Sequence, residues 1–203
     1  MRLAPAYRVI GMLLLALGTA LPARAQNVPK AEVSGGYQLL AVNFDEFDET
    51  LGKGWYADVA GNLGSVFSLV FQVSGNYKTF EEAASFAGVT GTLTANLKVH
   101  EFMGGVRVSA RKSRAVTPFA QLLVGGVAAS AEAEGRVTMG GETVFERSER
   151  ESSTNFGMQV GGGATFWLGE KIGVRGAADY VTVFAEESGV NAFRVAVGVV
   201  FGF

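Results

Sequence analysis

The chain has 203 residues, no cysteine and a formal net charge of −2. The missing cysteines exclude disulfides, a thiol nucleophile and a Cys-based metal site. The near-neutral charge offers no electrostatic footprint for nucleic acid.

The N-terminal segment reads as a cleaved secretory signal. Arg2 and Arg8 supply a positive start, and Val9–Leu17 is an apolar core that continues weakly to Leu21. Ala23-Arg24-Ala25 then forms a small-x-small site before Gln26. The apolar run is short for a span of ~20 residues, and no later run approaches one. No cysteine follows the site, so lipoprotein anchoring is excluded. The expected organisation is a signal over 1–25 and one domain over 26–203. An exported domain of this size without disulfides needs another stabilising device. A closed sheet with no unpaired edge is one.

Two-residue alternation marks eight strands: 31–43, 54–62, 65–79, 94–110, 116–131, 154–168, 171–185 and 191–203. In the third, Phe67, Leu69, Phe71, Val73 and Tyr77 oppose Ser68, Gln72, Ser74 and Asn76. The fourth is clear only from Phe102 to Val108, where Phe102, Val106 and Val108 oppose Glu101, Met103 and Arg107. Above it Lys98 and His100 fall on the apolar side. Either that part projects past the lipid or a bulge resets the register. In the fifth, Leu122 and Val124 face one way while Phe119 and Leu123 join Gln121 on the other. In the sixth, Phe156, Met158, Val160, Ala164, Phe166 and Leu168 oppose a row that includes Gly157, Gln159, Thr165 and Trp167. In the seventh, Ile172, Val174, Ala178, Tyr180 and Phe184 oppose Arg175 and Asp179. The last puts Phe193, Val195, Val197, Val199, Phe201 and Phe203 on one face. Arg194, Ala196, Gly198, Val200 and Gly202 take the other. An apolar outer face over a small, polar inner face is the pattern of a membrane barrel.

The connections fall into two kinds. The odd ones, 44–53, 80–93, 132–153 and 186–190, are mostly long and polar, and the even ones (63–64, 111–115, 169–170) are short. Outer-membrane barrels carry long extracellular loops and short periplasmic turns. An even strand count then puts both mature termini on the periplasmic side.

Several phrases carry a family resemblance: Gly54-Trp55, Gly75-Asn76-Tyr77, the run Phe102-Met103-Gly104-Gly105-Val106-Arg107-Val108, and Thr117-Pro118-Phe119. With the signal, the strand count, the loop asymmetry and the terminal Phe, residues 31–203 resemble the small eight-stranded outer-membrane barrels. They are similar to the OmpA transmembrane domain. The resemblance implies an all-β, antiparallel up-and-down transmembrane β-barrel in the bacterial outer membrane. It also implies that Phe201 and Phe203 act as an assembly signal read by the outer-membrane assembly machinery. The chain stops at the last strand, so the cell-wall tether of the longer OmpA architecture is not expected.

Parity sends Glu32, Asp58, Glu101, Arg107, Arg175, Asp179 and Arg194 inward. Buried charges must pair or meet water. They form either a structural plug of salt bridges or a narrow ion pathway. The plug has the stronger case, because eight strands leave little lumen. The odd connections are acidic. Asp45-Glu46-Phe47-Asp48-Glu49 offers carboxylates to a hard cation but lacks the EF-hand spacing, so a solvated face is the better reading. Arg111, Lys112 and Arg114 stand where anionic headgroups would meet the inner rim. The only histidine, His100, has no serine beside it to form a catalytic pair. Gly161-Gly162-Gly163 is followed by no lysine and no helix, so it is not a phosphate loop.

The expected function is a non-enzymatic, cofactor-free barrel with a structural and surface role in the cell envelope. Its partners would be outer-membrane lipids, the assembly machinery and an extracellular ligand met through 44–53, 80–93 and 132–153. The rival readings are a narrow channel for small solutes, a lipid A-modifying enzyme and a soluble lipid-binding barrel.

Overall fold

The computed structural model describes residues 28–44, 47–86, 89–113, 115–139, 142–185 and 189–203. The signal site at Ala23 and Ala25 lies outside the described residues, as do Asp45, Glu46 and Arg114. Eight strands form one closed antiparallel ring: β1 (Ala31–Phe44), β2 (Phe47–Leu63), β3 (Phe67–Phe86), β4 (Val89–Ser109), β5 (Val116–Met139), β6 (Glu142–Trp167), β7 (Ile172–Phe184) and β8 (Gly189–Gly202). Each strand pairs with its neighbour in sequence, and β1 with β8. The seam runs through the last residue. Phe203 N–H donates to the Ala31 carbonyl at 2.9 Å, and its own carbonyl accepts from Lys30 N–H at 2.5 Å. Closure satisfies every rim-to-rim ladder, which a lipid environment demands of a sheet.

Orientation follows the alternation. Phe67, Leu69, Phe71, Phe166, Val197 and Phe201 are exposed on the outside. Gln72, Gln121, Phe119, Leu123, Gln159 and Thr165 are buried inside. The curvature of so narrow a ring shows at inward-facing glycines. A Cβ on Gly36 would stand 2.1 Å from the Val197 carbonyl oxygen, and one on Gly125 would stand 1.9 Å from that of Phe102. Only glycine fits where strands approach this closely. At the β2–β3 turn Gly64 adopts φ 91°, in the region that favours glycine.

β2 to β6 are longer than the pattern predicts, and the difference corrects the loop reading. Segments expected as loops at 44–53, 80–93 and 132–153 are mostly strand. Phe86 faces Val89 across one hairpin and Met139 faces Glu142 across the other. The physical reason is in the residues. Thr90, Thr92 and Thr94 alternate with Gly91, Leu93 and Ala95, and such runs suit a pleated surface. High polarity marks where the strands leave lipid, not where they end. β2 stops pairing with β3 at Lys53–Tyr77, and β6 stops pairing with β7 at Phe156–Phe184. Beyond those points β3 to β6 rise together as an open four-stranded sheet. No register shift interrupts β4, so Lys98 and His100 do point outward, near the base of that sheet.

Hydrogen-bonded rows run obliquely around the wall. From Tyr37 one row descends through Val197, Gly176 and Ala164 to Pro118, beside the short-turn rim. In the other direction it climbs through Trp55, Gly75 and His100 to Ala128 and Thr154, within the rising sheet. This is the strand tilt a closed barrel requires.

Val197 is 56% exposed on the outer wall, in the middle of β8. Val197→Arg is expected to destabilise the barrel by ~2–4 kcal/mol if the site lies near the bilayer midplane. Reversible urea unfolding in vesicles measures it, and unchanged stability would contradict the register.

Candidate functional site

The lumen is the most chemically loaded part of the molecule. All seven charged residues that parity sends inward are at most 3% exposed. At the short-turn end Glu32 of β1 takes Arg175 on one carboxylate oxygen and Arg111 on the other, the latter at 2.9 Å. Asn62 donates to the same carboxylate at 3.1 Å. One level up, Asp58 of β2 is shared by two arginines. Arg107 reaches Oδ2 at 3.1 Å and Arg175 reaches Oδ1 at 3.4 Å. The Phe119 ring lies against both guanidinium groups, 4.8 Å from Arg107 Cζ and 5.4 Å from Arg175 Cζ. Arg107 Nε also donates to Gln121 Oε1 at 3.0 Å, and Gln121 Nε2 passes on to Asp179 Oδ1 at 2.9 Å. Asp179 Oδ2 holds Arg194 Nη1 at 2.5 Å. Arg194 Nε donates to Gln38, and Gln38 donates to Asn76 Oδ1 at 3.0 Å. Arg175 Nε donates to Thr165 Oγ1 of β6 at 2.9 Å, so one connected network ties all eight strands across the lumen.

Glu101 stands apart. It is 2% exposed and accepts from the Ser74 hydroxyl, but it makes no ion pair among the described residues. Arg111 is the converse case. The sequence puts it at the rim facing headgroups, yet its side chain turns inward to Glu32, Asn62 and the Ser65 carbonyl. Its parity could have shown this, because Arg107, Ser109 and Arg111 fall on the same side of the chain. The polar partners Gln38, Asn62, Gln121 and Thr165 also escape a search for charges alone. Above the ion pairs the interior turns apolar. Met103, Leu123 and Val127 pack together, and Leu40, Val181 and Ala192 cluster with Leu97 and Val190 toward the far mouth.

Outside the lumen, His100 has a phenol beside it, not a serine. Its Nε2 lies 3.1 Å from the Tyr77 hydroxyl, and Ser109 faces the lumen far along β4. Among the described residues no group of three or more His, Asp or Glu side chains is placed to hold a metal ion.

A family model described as the outer membrane protein beta-barrel domain matches residues 10–203. The chain belongs to this family. It is an outer-membrane β-barrel protein of bacteria. Among solved structures, it is similar to Ail, the attachment invasion locus protein of Yersinia pestis, with TM-score 0.56 and 16% identity, covering 87% of this chain and 99% of that one. Ail in complex with the heparin analogue sucrose octasulfate gives 0.56 and 15% over the same shares, 87% and 99%. Neisserial surface protein A gives 0.48 and 10%, covering 88% of this chain and 100% of that one. At these identities the likeness is one of fold. No curated protein sequence matches the chain.

In this family's setting, removing one partner of a buried pair strands a charge in the lumen. Arg175→Ala and Arg194→Ala are each expected to cost on the order of 3–5 kcal/mol if the lumen is dry, and much less if water solvates the survivor. Urea unfolding of the two variants in vesicles distinguishes the cases.

Proposed function

We propose that this barrel is a structural, surface-presenting component of the outer membrane, with no enzymatic activity of its own. The observation that carries the reading is the connected lumen network, from Glu32 through Asp58 and Asp179 to Arg194. Side chains that bridge opposite walls brace a narrow barrel and leave little room for solute. In this reading 1–25 is removed before Gln26 and both mature termini lie at the periplasmic rim. The open sheet of β3 to β6 stands outside the cell and presents 80–93 and 132–153 to an extracellular ligand. Residues 44–53 would join them. Ail is known in complex with a polysulfated sugar analogue. The sheet of this chain is richer in Glu81, Glu82, Glu132, Glu134, Glu146, Glu149 and Glu151 than in arginine. Cationic surfaces complement it better than sulfated ones.

A narrow channel is the second reading, and one observation favours it. Three buried lumen donors, Asn76 Nδ2, Arg107 Nη1 and Gln159 Nε2, have no partner among the described residues. Buried donors of this kind are commonly met by water. Planar-bilayer recording separates the two. The structural reading expects negligible conductance from the native protein and from Arg194→Ala. Ion selectivity that changes in Arg194→Ala, with stability intact, would establish the channel.

Two further outcomes follow from the proposed export route. N-terminal sequencing of protein from the outer-membrane fraction should begin at Gln26, and a Met1 start would refute cleavage. Deleting Phe203 should lower outer-membrane insertion more than export, because its ring is 69% exposed and its backbone closes the β1–β8 seam. Equal insertion of truncated and intact chains would remove Phe203 from the assembly signal.

A further inference from the structure

The outer wall carries a feature that neither bracing nor surface presentation explains. A groove of about 570 Å³ is lined on the lipid-facing side by Tyr37, Leu39, Trp55, Tyr77, Val195 and Val197. Its location coincides with a register shift between Gln38 and Leu40, where the β1–β2 ladder is locally irregular. At its upper end the aromatic side chains form a polar relay. Trp55 Nε1 donates to the Tyr77 hydroxyl at 3.3 Å, and that hydroxyl shares a hydrogen bond with His100 Nε2 at 3.1 Å. With the indole proton directed at the Tyr77 oxygen, the phenol proton is free to point at His100 Nε2. That leaves Nδ1 as the donor atom of the ring. Beside them Lys98 sits directly across the β3–β4 ladder from Tyr77 and is exposed. A lysine and a histidine on the lipid-facing wall are costly unless they meet something anionic.

The oblique rows of the wall order these parts by depth. Lys98 and His100 on β4 are high, and Val195 and Val197 on β8 are low. An apolar channel therefore descends from a cationic and hydrogen-bonding head. Tyr and Trp at the junction are the residues that favour the boundary between hydrocarbon and headgroups.

We infer that this groove is a docking site for one anionic lipid whose headgroup carries phosphate. The phosphate contacts Lys98 and His100, and an acyl chain runs down past Tyr77, Trp55 and Tyr37 to Val197. Charge complementarity chooses the occupant: a zwitterionic headgroup satisfies the Lys98 ammonium less well than an anionic one, and the His100 Nδ1–H adds a hydrogen-bond donor. That the lipid belongs to the outer leaflet rests on the orientation proposed above.

The two tryptophans make the test direct. Trp55 lines the groove. Trp167 stands at the opposite rim, turned inward to donate to the Thr117 hydroxyl at 3.1 Å. In a Trp167→Phe protein, Trp55 is the sole reporter. The protein is folded into phosphatidylcholine vesicles in which a small fraction of lipid is brominated high on its acyl chains. The brominated lipid is either phosphatidylglycerol or phosphatidylcholine. The anionic lipid should quench Trp55 with an apparent preference of about fivefold, the scale expected for a cation near an anionic headgroup. Lys98→Gln with His100→Gln should bring the two lipids level while heat-modifiable migration in detergent stays normal. Lys98→Gln alone, which leaves the Tyr77–His100 contact in place, should give an intermediate value. Equal quenching in the unsubstituted groove would overturn the site, and so would a preference that survives the double substitution. The leaflet is read separately by labelling Ser148→Cys with an impermeant maleimide on whole cells. An unlabelled cysteine beside an intact lipid preference would sink the orientation and leave the phosphate contact standing.

Discussion

The narrowness of an eight-stranded ring governs this molecule. Its lumen is wide enough for side chains and for little else. Every charge on the inner wall except Glu101 therefore pairs with a charge from another wall. Asp58 shows the consequence most plainly, because one carboxylate is held by arginines from β4 and β7 at once. The fourth cation, Arg111, matters for the same reason. It brings the lumen to four acids (Glu32, Asp58, Glu101, Asp179) and four arginines (Arg107, Arg111, Arg175, Arg194). Neutrality is what lets a polar interior exist inside a wall that faces hydrocarbon. The same narrowness explains the inward glycines, whose backbones sit too near the next strand to carry a side chain.

The barrel is built from two kinds of height. The β2–β3 and β6–β7 ladders stop near the aromatic residues Tyr77, Phe156 and Phe184. On one side β3 to β6 continue together. The change from lipid to water does not interrupt the alternation. It changes only which residues occupy the outward positions, from Phe102 and Val106 below to Lys98, Asn96 and Thr94 above. An anionic lipid at that boundary fits the place where the outward row changes character.

Much of the fold was legible from residues alone. The strand count, the sheet closure and the facing of β3, β6 and β8 all follow from a two-residue period. Weak alternation at Phe119 and Leu123 still gave the right face, because the neighbours Leu122 and Val124 fixed it. The strand ends were not legible. Polarity was read as loop at 44–53, 80–93 and 132–153, but a strand in water on both faces has no need of an apolar row. The lumen charges were legible by parity, whereas their wiring was not. Nothing in the sequence says that Glu101 pairs with a hydroxyl or that Gln121 joins Arg107 to Asp179. Arg111 was misread because it lies just past the last residue of β4, where its parity still holds but its strand label does not.

The projecting sheet has two borders along which no further strand ladder runs among the described residues: β3 over 79–86 and β6 over 142–155. Such borders invite another strand to add on, and in the proposed orientation they would meet other copies of the same protein outside the cell. The β6 border carries Glu142, Glu146, Arg147, Glu149, Arg150 and Glu151, and the β3 border carries Glu81 and Glu82. Two molecules brought side by side in a crowded membrane would bring acid against acid along these borders. The charge that makes this region look like loop thus doubles as a spacer that keeps neighbouring barrels from zipping into a continuous sheet.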